Sequence, residues 1–468
     1  MRIKQIFIVL TIVILSSIIS YRLGVLAQMT GALKSIVEPG SMITEASYII
    51  FTDGTNVYAR NGDTGQIEFN GIDASQVIQS SINSLTSGRT WSEKIVLKDD
   101  FSISSTIHIP SYTEIELQGK ITRTADVPIY ALDEKKGIDA SQVVNFIHGG
   151  ILDGSGYSTD MIEIYNVKGS SFKDMSLRNF KGNGVYMDGR PTATYKSFYN
   201  LFDNLRFGYL SGSHNTRKGF FYLTDNAIDN IIINCLGSAS GISSGQRPYG
   251  FIFDGTGGYR LVNNHFDNTH NFALFDGTKG QINNIHMFGD IIDLTIQDGL
   301  YFNISTNGMT DITITDSYFI NIPTNYDFIY IQNTGVSGWL NDMVVTGSTS
   351  KGTSHRYCVE RATTGQTSRL MFAHNRWSSG VSGVYNNVPT NYIEDDGAYV
   401  TENSGTATIS AGTSVIVNHG LVGTPTRVMI TPRSTGYGTI AVTARDGTTF
   451  TITVTSSGTY TIDWYAEV

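Results

Sequence analysis

Beyond residue 90 the apolar positions alternate with polar ones and rarely recur at helical spacing. Lys94-Ile95-Val96-Leu97, Ser102-Ile103-Ser104, Thr106-Ile107-His108-Ile109 and Glu114-Ile115-Glu116-Leu117 each read as a short strand. One stretch differs: Ile78, Ile82 and Leu85 recur at helical spacing with Val77 beside them. Asp73 is placed to cap this segment, and Gln76 completes a capping-box pattern. The spacing predicts one amphipathic helix over residues 73–85.

A longer repeat follows. An Asn or Asp precedes an alternating apolar triplet at Asp174, Asn204, Asn230, Asn284, Asp311 and Asp342. A second apolar run follows each first one, as in Gly184-Val185-Tyr186-Met187, Gly250-Phe251-Ile252-Phe253 and Gly299-Leu300-Tyr301-Phe302. Each unit therefore carries at least two short strands. Such a unit cannot bury its own apolar face, but stacked units give every strand a neighbour above and below. The expected fold is all-β: a right-handed parallel β-helix whose recurring Asn or Asp occupies one turn of successive coils. The helix at 73–85 is expected to cap its N-terminal end, because an open sheet edge invites strand addition.

After about residue 395 the repeat stops. Thr406-Ala407-Thr408-Ile409, Ser414-Val415-Ile416-Val417, Arg427-Val428-Met429-Ile430, Thr439-Ile440-Ala441-Val442, Phe450-Thr451-Ile452-Thr453-Val454 and Tyr460-Thr461-Ile462-Asp463-Trp464 alternate strongly. Six short strands separated by turns predict a small antiparallel β-sandwich over 400–468. The expected order is a targeting segment at 1–27, a strand-rich lead-in at 28–70, the β-helix at 71–395, and this module. In 1–27, Arg2 and Lys4 precede an apolar run over 6–19, and Val25-Leu26-Ala27 offers a cleavage site. That pattern is a secretory signal or an uncleaved single-pass anchor, and either places the bulk outside the cell.

Composition narrows the partners. Charged residues are 16% and the formal net charge is −9, so no basic footprint for nucleic acid is present. Gly is 49 of 468 residues and aromatics are 11%, which suits many turns and an aromatic core. The two cysteines, Cys235 and Cys358, fall about four coils apart, too far to bridge, so two buried thiols are expected.

Gly71-Ile72-Asp73-Ala74, Ile103-Ser104-Ser105-Thr106-Ile107-His108-Ile109-Pro110 and Gly149-Gly150-Ile151-Leu152-Asp153-Gly154 resemble the pectate-lyase-like β-helix superfamily. That superfamily includes polygalacturonases, rhamnogalacturonases and virus tailspikes. The stretches Asn418-His419-Gly420-Leu421 and Gly423-Thr424-Pro425 resemble β modules that end tail fibres. The resemblance implies an exported protein that binds extracellular or cell-surface polysaccharide. Cleavage by a lyase or glycoside hydrolase, and a non-enzymatic adhesin or spike, both stay open. It implies no fixed cofactor and leaves Ca2+ open; it also leaves open a homotrimer and N-terminal membrane contact. The polygalacturonase motifs are absent: Asp-Asp occurs at Asp99-Asp100 and Asp395-Asp396, outside the regular coils.

Glycan cleavage needs two carboxyl groups about 5–9.5 Å apart. Asp153, Asp160 and Glu163 cluster after the Gly149 motif and, with Asp188, are the catalytic candidates. Asp254 and Asp276 end second-type strands, as Asp188 does, and are substrate-binding candidates. Asp before Gly is also a strong turn pair, so a turn role competes at Asp188, Asp254 and Asp276. Trp339 and Trp377 are candidates for stacking on sugar rings. Asp290, Asp293 and Asp298 form a further local cluster. His265, His270 and His286 are too loosely spaced for zinc, and no metal ligand is assigned.

Overall fold

The computed structural model describes residues 46–133, 144–189, 196–209, 217–388, 393–394 and 402–468, apart from 225–226, 241, 243–245, 336, 353, 363–365, 379 and 422. The expected targeting segment at 1–27 lies outside the described residues. So do 28–45 of the lead-in.

Three long sheets form the body, here called A, B and C, with fifteen, ten and eleven strands. The chain visits them in turn. Ser171–Lys173 lies in A, Ser176–Phe180 in B and Val185–Asp188 in C; the next coil repeats the order with Leu201–Asp203, Arg206–Tyr209 and Gly219–Thr224. Successive strands pair in parallel and in register, so Phe172 meets Phe202, Leu177 meets Phe207, and Val185 meets Phe221. All six side chains are buried. Alternation inside each short strand sends one row inward and its neighbours outward. The inward rows join into one continuous core.

Aromatic residues fill much of that core. Phe172 stacks on Phe202 at 4.9 Å, Phe253 on Phe275 at 5.1 Å, and Phe275 on Phe302 at 4.3 Å between centroids. Each such pair contributes about 0.5–1.5 kcal/mol beyond its buried area. Cys235 and Cys358 are both buried and unbridged, and burial pushes the Cys235 thiol up to about 12.

The recurring Asn or Asp does not mark a single turn. The triplets after Asp174 and Asn204 run into sheet B, whereas Ile231–Ile233, and the strands holding Asn284, Asp311 and Asp342, belong to sheet A. The two strand types look alike in sequence because an Asn or Asp, residues suited to a left-handed backbone, stands directly before the alternating apolar run in both. Asp174, Asn204, Asn234 and Asn263 hold φ of 55° where the chain leaves sheet A. Asn and Asp tolerate this region better than other side chains. The quoted second-type runs all lie in sheet C.

Buried polar ladders run between coils. Ahead of sheet A, Asn145 accepts from the Thr113 N–H, Ser170 from Asn145, Asn200 from Ser170, and Asn230 from Asn200. On leaving sheet A, Asn264 Oδ1 accepts from the Cys235 N–H and Asp290 Oδ1 from the Asn264 N–H. Side chains here satisfy backbone donors that tight corners strip of strand partners.

The predicted helix spans Ala74–Asn83, with Asp73 capping it through the Ser75 N–H. Val77, Ile78 and Ile82 join the core. Phe101–Ile103 and Ile107–His108 are the end strands of sheets B and C. The helix closes them: Ser75 Oγ accepts from the Ser104 N–H, and Gln79 both accepts from His108 N–H and donates to His108 C=O. Gln79 thus imitates a neighbouring strand. Sheet A continues instead into antiparallel strands Tyr48–Thr52, Val57–Asn61 and Ile67–Gly71.

The C-terminal residues form a separate four-stranded antiparallel sheet. The six alternating runs all lie on its strands, but they merge into four. Glu402–Asn418 and Thr449–Glu467 are each continuous, with register shifts near Gly412 and Gly458. Arg427–Pro432 pairs with the last part of Thr449–Glu467 and Ile440–Arg445 with its first part. Both halves contribute to one core built on Ile409, Val417, Phe450, Ile462 and Trp464.

Candidate functional site on the outer face of sheet C

Sheet C turns inner residues such as Val185 and Met187 into the core and presents two outer rows. Pairing places Tyr165, Asp188, Thr224, Asp254, Asp276 and Asn303 in one row, one residue per coil. Glu163, Tyr186 and Tyr222 begin the adjacent row. Parallel strands lie about 4.8 Å apart, so successive row members are close neighbours. Four sequence-predicted residues, Glu163, Asp188, Asp254 and Asp276, therefore share one face.

The tyrosines form a continuous strip. Tyr165 and Tyr186 lie 5.8 Å apart, and Tyr186 stacks on Tyr222 at 5.5 Å. Their hydroxyls donate to carboxylates: Tyr165 to Glu163 at 3.3 Å, Tyr186 to Asp188 at 3.4 Å and Tyr222 to Asp254 at 2.7 Å. Burial, then the Asp188 charge, pushes the Tyr186 phenol well above its usual range. Burial and the hydrogen bond to Asp254 raise the Tyr222 phenol as well. Both phenols therefore act as donors at neutral pH. Further along, Tyr301 and Tyr330 form a second pair at 5.5 Å.

Asp254 and Asp276 sit in register on adjacent coils, and both are buried. A single Arg217 nitrogen bridges them at 3.0 and 2.7 Å, and Lys279 reaches Asp254 at 3.0 Å. Asp276 accepts from the Thr278 N–H, which folds the short turn that returns Lys279 to the face. Burial opposes the charge on Arg217 and Lys279, but the carboxylates outweigh it and raise both pKa values. Asp254 Oδ1 is buried and accepts no hydrogen bond from the described residues. Arg217 Nε and the bridging Nη2 are likewise buried without a hydrogen bond from or to the described residues, so Arg217 holds the two carboxylates by charge and the centre keeps both donors and an acceptor unfilled beside the tyrosine strip.

A second cluster lies later on the same sheet. Asp298 accepts from the Asp327 N–H and Asp327 from the Tyr357 N–H, continuing a corner ladder. Arg356 pairs with Asp327 at 2.6 Å and with Glu360. Burial pushes Asp298 up to about 6. Burial also pushes Asp327 up to about 7, against the pull of Arg356. Asp327, Glu360, Arg356, Arg217 and Lys279 escaped sequence reasoning because their partners lie on other coils or across a turn.

The remaining candidates sit elsewhere. Asp153 lies in sheet B, where it accepts from the Ser155 N–H and from Asn179. Asp160 accepts from the Asn183 N–H and pairs with Lys218 at 3.1 Å. The local Asp153, Asp160 and Glu163 cluster is thus divided between a turn, a corner and an outer row. Asp290 is in the core, and Asp293 faces His265 at 3.7 Å on sheet B. Trp377 packs on Phe319 and Phe328, with its indole N–H donating to Tyr385. Trp339 begins a sheet A strand, half-buried. His270 packs on Tyr249, while His286 bonds Asn284. Among the described residues no group of three or more His, Cys, Asp or Glu side chains is placed to hold a metal ion.

This architecture defines a right-handed parallel β-helix protein with an appended antiparallel sheet. Several solved structures are similar to the chain. A double mutant of the tailspike protein of E. coli bacteriophage HK620, in complex with pentasaccharide, matches at 12% identity and TM-score 0.50, covering 85% of this chain and 90% of the tailspike. PfbA, a surface adhesin of Streptococcus pneumoniae, matches at 14% identity and TM-score 0.48, covering 66% and 90%. The A-module of an Azotobacter vinelandii mannuronan C-5 epimerase matches at 13% and 0.44, covering 69% and 94%. At 12% identity the likeness to the tailspike shows the fold alone. No protein-family model and no curated protein sequence matches the chain.

Proposed function

We propose that the protein is exported and binds extracellular polysaccharide along the outer face of sheet C. The observation that carries this reading is the Tyr165, Tyr186 and Tyr222 strip running into the Asp254, Asp276, Arg217 and Lys279 centre. Aromatic faces pack against the C–H faces of sugar rings, and fixed donors and acceptors beside them orient hydroxyls. The tailspike of the same fold is in complex with a pentasaccharide, which agrees with this ligand class. The basic and apolar residues of 1–27 support export.

The test is a glycan array probed with the full chain and with Tyr186→Ala and Tyr222→Ala. Loss of the same glycans from the bound set in both variants supports the assignment. Unchanged binding in both overturns it.

Cleavage is a second reading, favoured by Asp327 and Glu360 around Arg356. Burial and the neighbouring Glu360 carboxylate at the same Arg356 nitrogen raise the Asp327 pKa against the pull of Arg356, so the pair favours one protonated and one ionised carboxyl. Reducing-sugar release from a bound glycan, lost in Glu360→Gln, supports it. Binding without release leaves a glycan-binding adhesin or spike.

A further inference from the structure

A second surface, on sheet A, has the chemistry of a sugar site and does not depend on sheet C. Trp339 stands opposite Gly308 of the preceding coil, and a β-carbon on Gly308 would collide with the indole. The absence of that carbon lets the indole lie flat against the backbone. Beside it opens a pocket of about 270 Å³ lined by Trp339, Asn341, Thr367 and Ser368. The strands Trp339–Thr346 and Gln366–Ala373 pair in register there, setting Asn341 opposite Ser368.

The described lining is uncharged, and its polar groups are already hydrogen-bonded. Ser368 Oγ donates to Asn341 Oδ1 at 2.6 Å, and Arg361 donates to Thr367 Oγ1 at 2.6 Å. These bonds fix the polar groups before any ligand arrives, which lowers the ordering cost of binding. An aromatic wall beside amide and hydroxyl groups suits a ring with one apolar face and a polar rim. The volume is close to the lower limit of small-ligand pockets, room for about one ring. Among the described residues no charged side chain lines it, unlike the sheet C centre.

We infer that the Trp339 pocket is a second carbohydrate subsite, selective for a neutral pyranose residue. The two faces would then engage separate glycan segments, raising avidity if one chain or one surface reaches both.

The test follows tryptophan emission of the full chain while chitohexaose, cellohexaose, maltohexaose and xylohexaose are added separately. At least one sugar is expected to shift or quench the emission. Trp339→Ala should abolish that signal and weaken binding by about tenfold or more. Trp339→Phe should retain part of the affinity, and Gly308→Ala should weaken it by displacing the indole. Circular dichroism on each variant separates unfolding from a lost contact. Tyr222→Ala should leave the neutral-sugar signal intact. The inference is overturned if none of the four sugars perturbs emission, if a folded Trp339→Ala binds like the parent, or if Tyr222→Ala removes the same signal.

Discussion

One oxygen of Asn230 serves two groups of Asn200: it accepts the Asn200 backbone N–H and side-chain amide, each at 3.0 Å. Both residues are fully buried, one coil apart. Asn230 in turn donates to the Ile228 carbonyl at 2.8 Å. Leu at 230 would leave the Asn200 backbone N–H without an acceptor, at about 1–3 kcal/mol, and would cut the Asn200 side-chain amide back to its bond with the Val167 carbonyl at 2.9 Å. Asn230→Leu should therefore lower the urea midpoint clearly. The double variant Asn200→Leu/Asn230→Leu should lose less than the two single losses combined. Strict additivity in the denaturation curves would refute the coupling.

Asp290 is an acid set among ladder amides. Burial pushes its pKa up to about 7, although the Asn264 N–H and amide both donate to it. The folded chain keeps this proton to about pH 7, whereas an unfolded Asp releases it near 4. Folded protein thus binds more protons between those values, and stability falls as pH rises across that window, then levels off. Asp290→Asn keeps the accepting oxygen and removes the titration. It should match the parent near pH 4 and exceed it at pH 8 by on the order of a few kcal/mol. Parallel stability–pH curves for the two proteins would contradict this.

Removing Arg217 should leave Asp254 and Asp276 with Lys279 as their remaining cation contact among the described residues. Arg217 is about one-third exposed, so the loss is discounted for solvent to about 1–3 kcal/mol for Arg217→Ala. Adding Asp276→Asn should recover part of it, because one of the two crowded charges is gone. Thermal melts of the single and double variants at neutral pH check the order.

Gln79 supplies both a donor and an acceptor to His108, at 3.1 and 2.8 Å. Gln79→Ala would uncover one end of sheet C, and an uncovered edge recruits other strands. The variant should remain folded at low concentration and associate at high concentration. Light scattering across a dilution series reads this, and a concentration-independent mass equal to the parent's would sink it.

The parts of the fold legible in sequence are those written in local periodicity. Val77, Ile78 and Ile82 marked the helix, and Asp73 marked its cap. The Gly250-Phe251-Ile252-Phe253 type of run marked sheet C, because its strands carry aromatic residues at the buried positions. Sheets A and B were merged because Ser171–Lys173 and Ile151–Asp153 share the same three-residue form, with only the middle residue buried. Glu163, Asp188, Asp254 and Asp276 were visible as carboxylates on strand ends. Their common face followed only from the register. Arg217 left no trace, since nothing in its neighbourhood predicts contact with two aspartates on later coils.

The connections between sheets B and C differ in length from coil to coil. The link from Leu236–Ser238 to Tyr249–Asp254 is longer than the one from His265–Asp267 to Ala273–Asp276, yet the strands on either side stay aligned. Inserting one residue within a strand would turn its buried row outward. A residue added at this connection is absorbed there. The body therefore separates two kinds of inheritance: strand positions admit substitution but not insertion, while the corners bordering sheet C can lengthen or shorten at little thermodynamic cost. New loops can evolve beside the tyrosine strip without disturbing the stack that holds it.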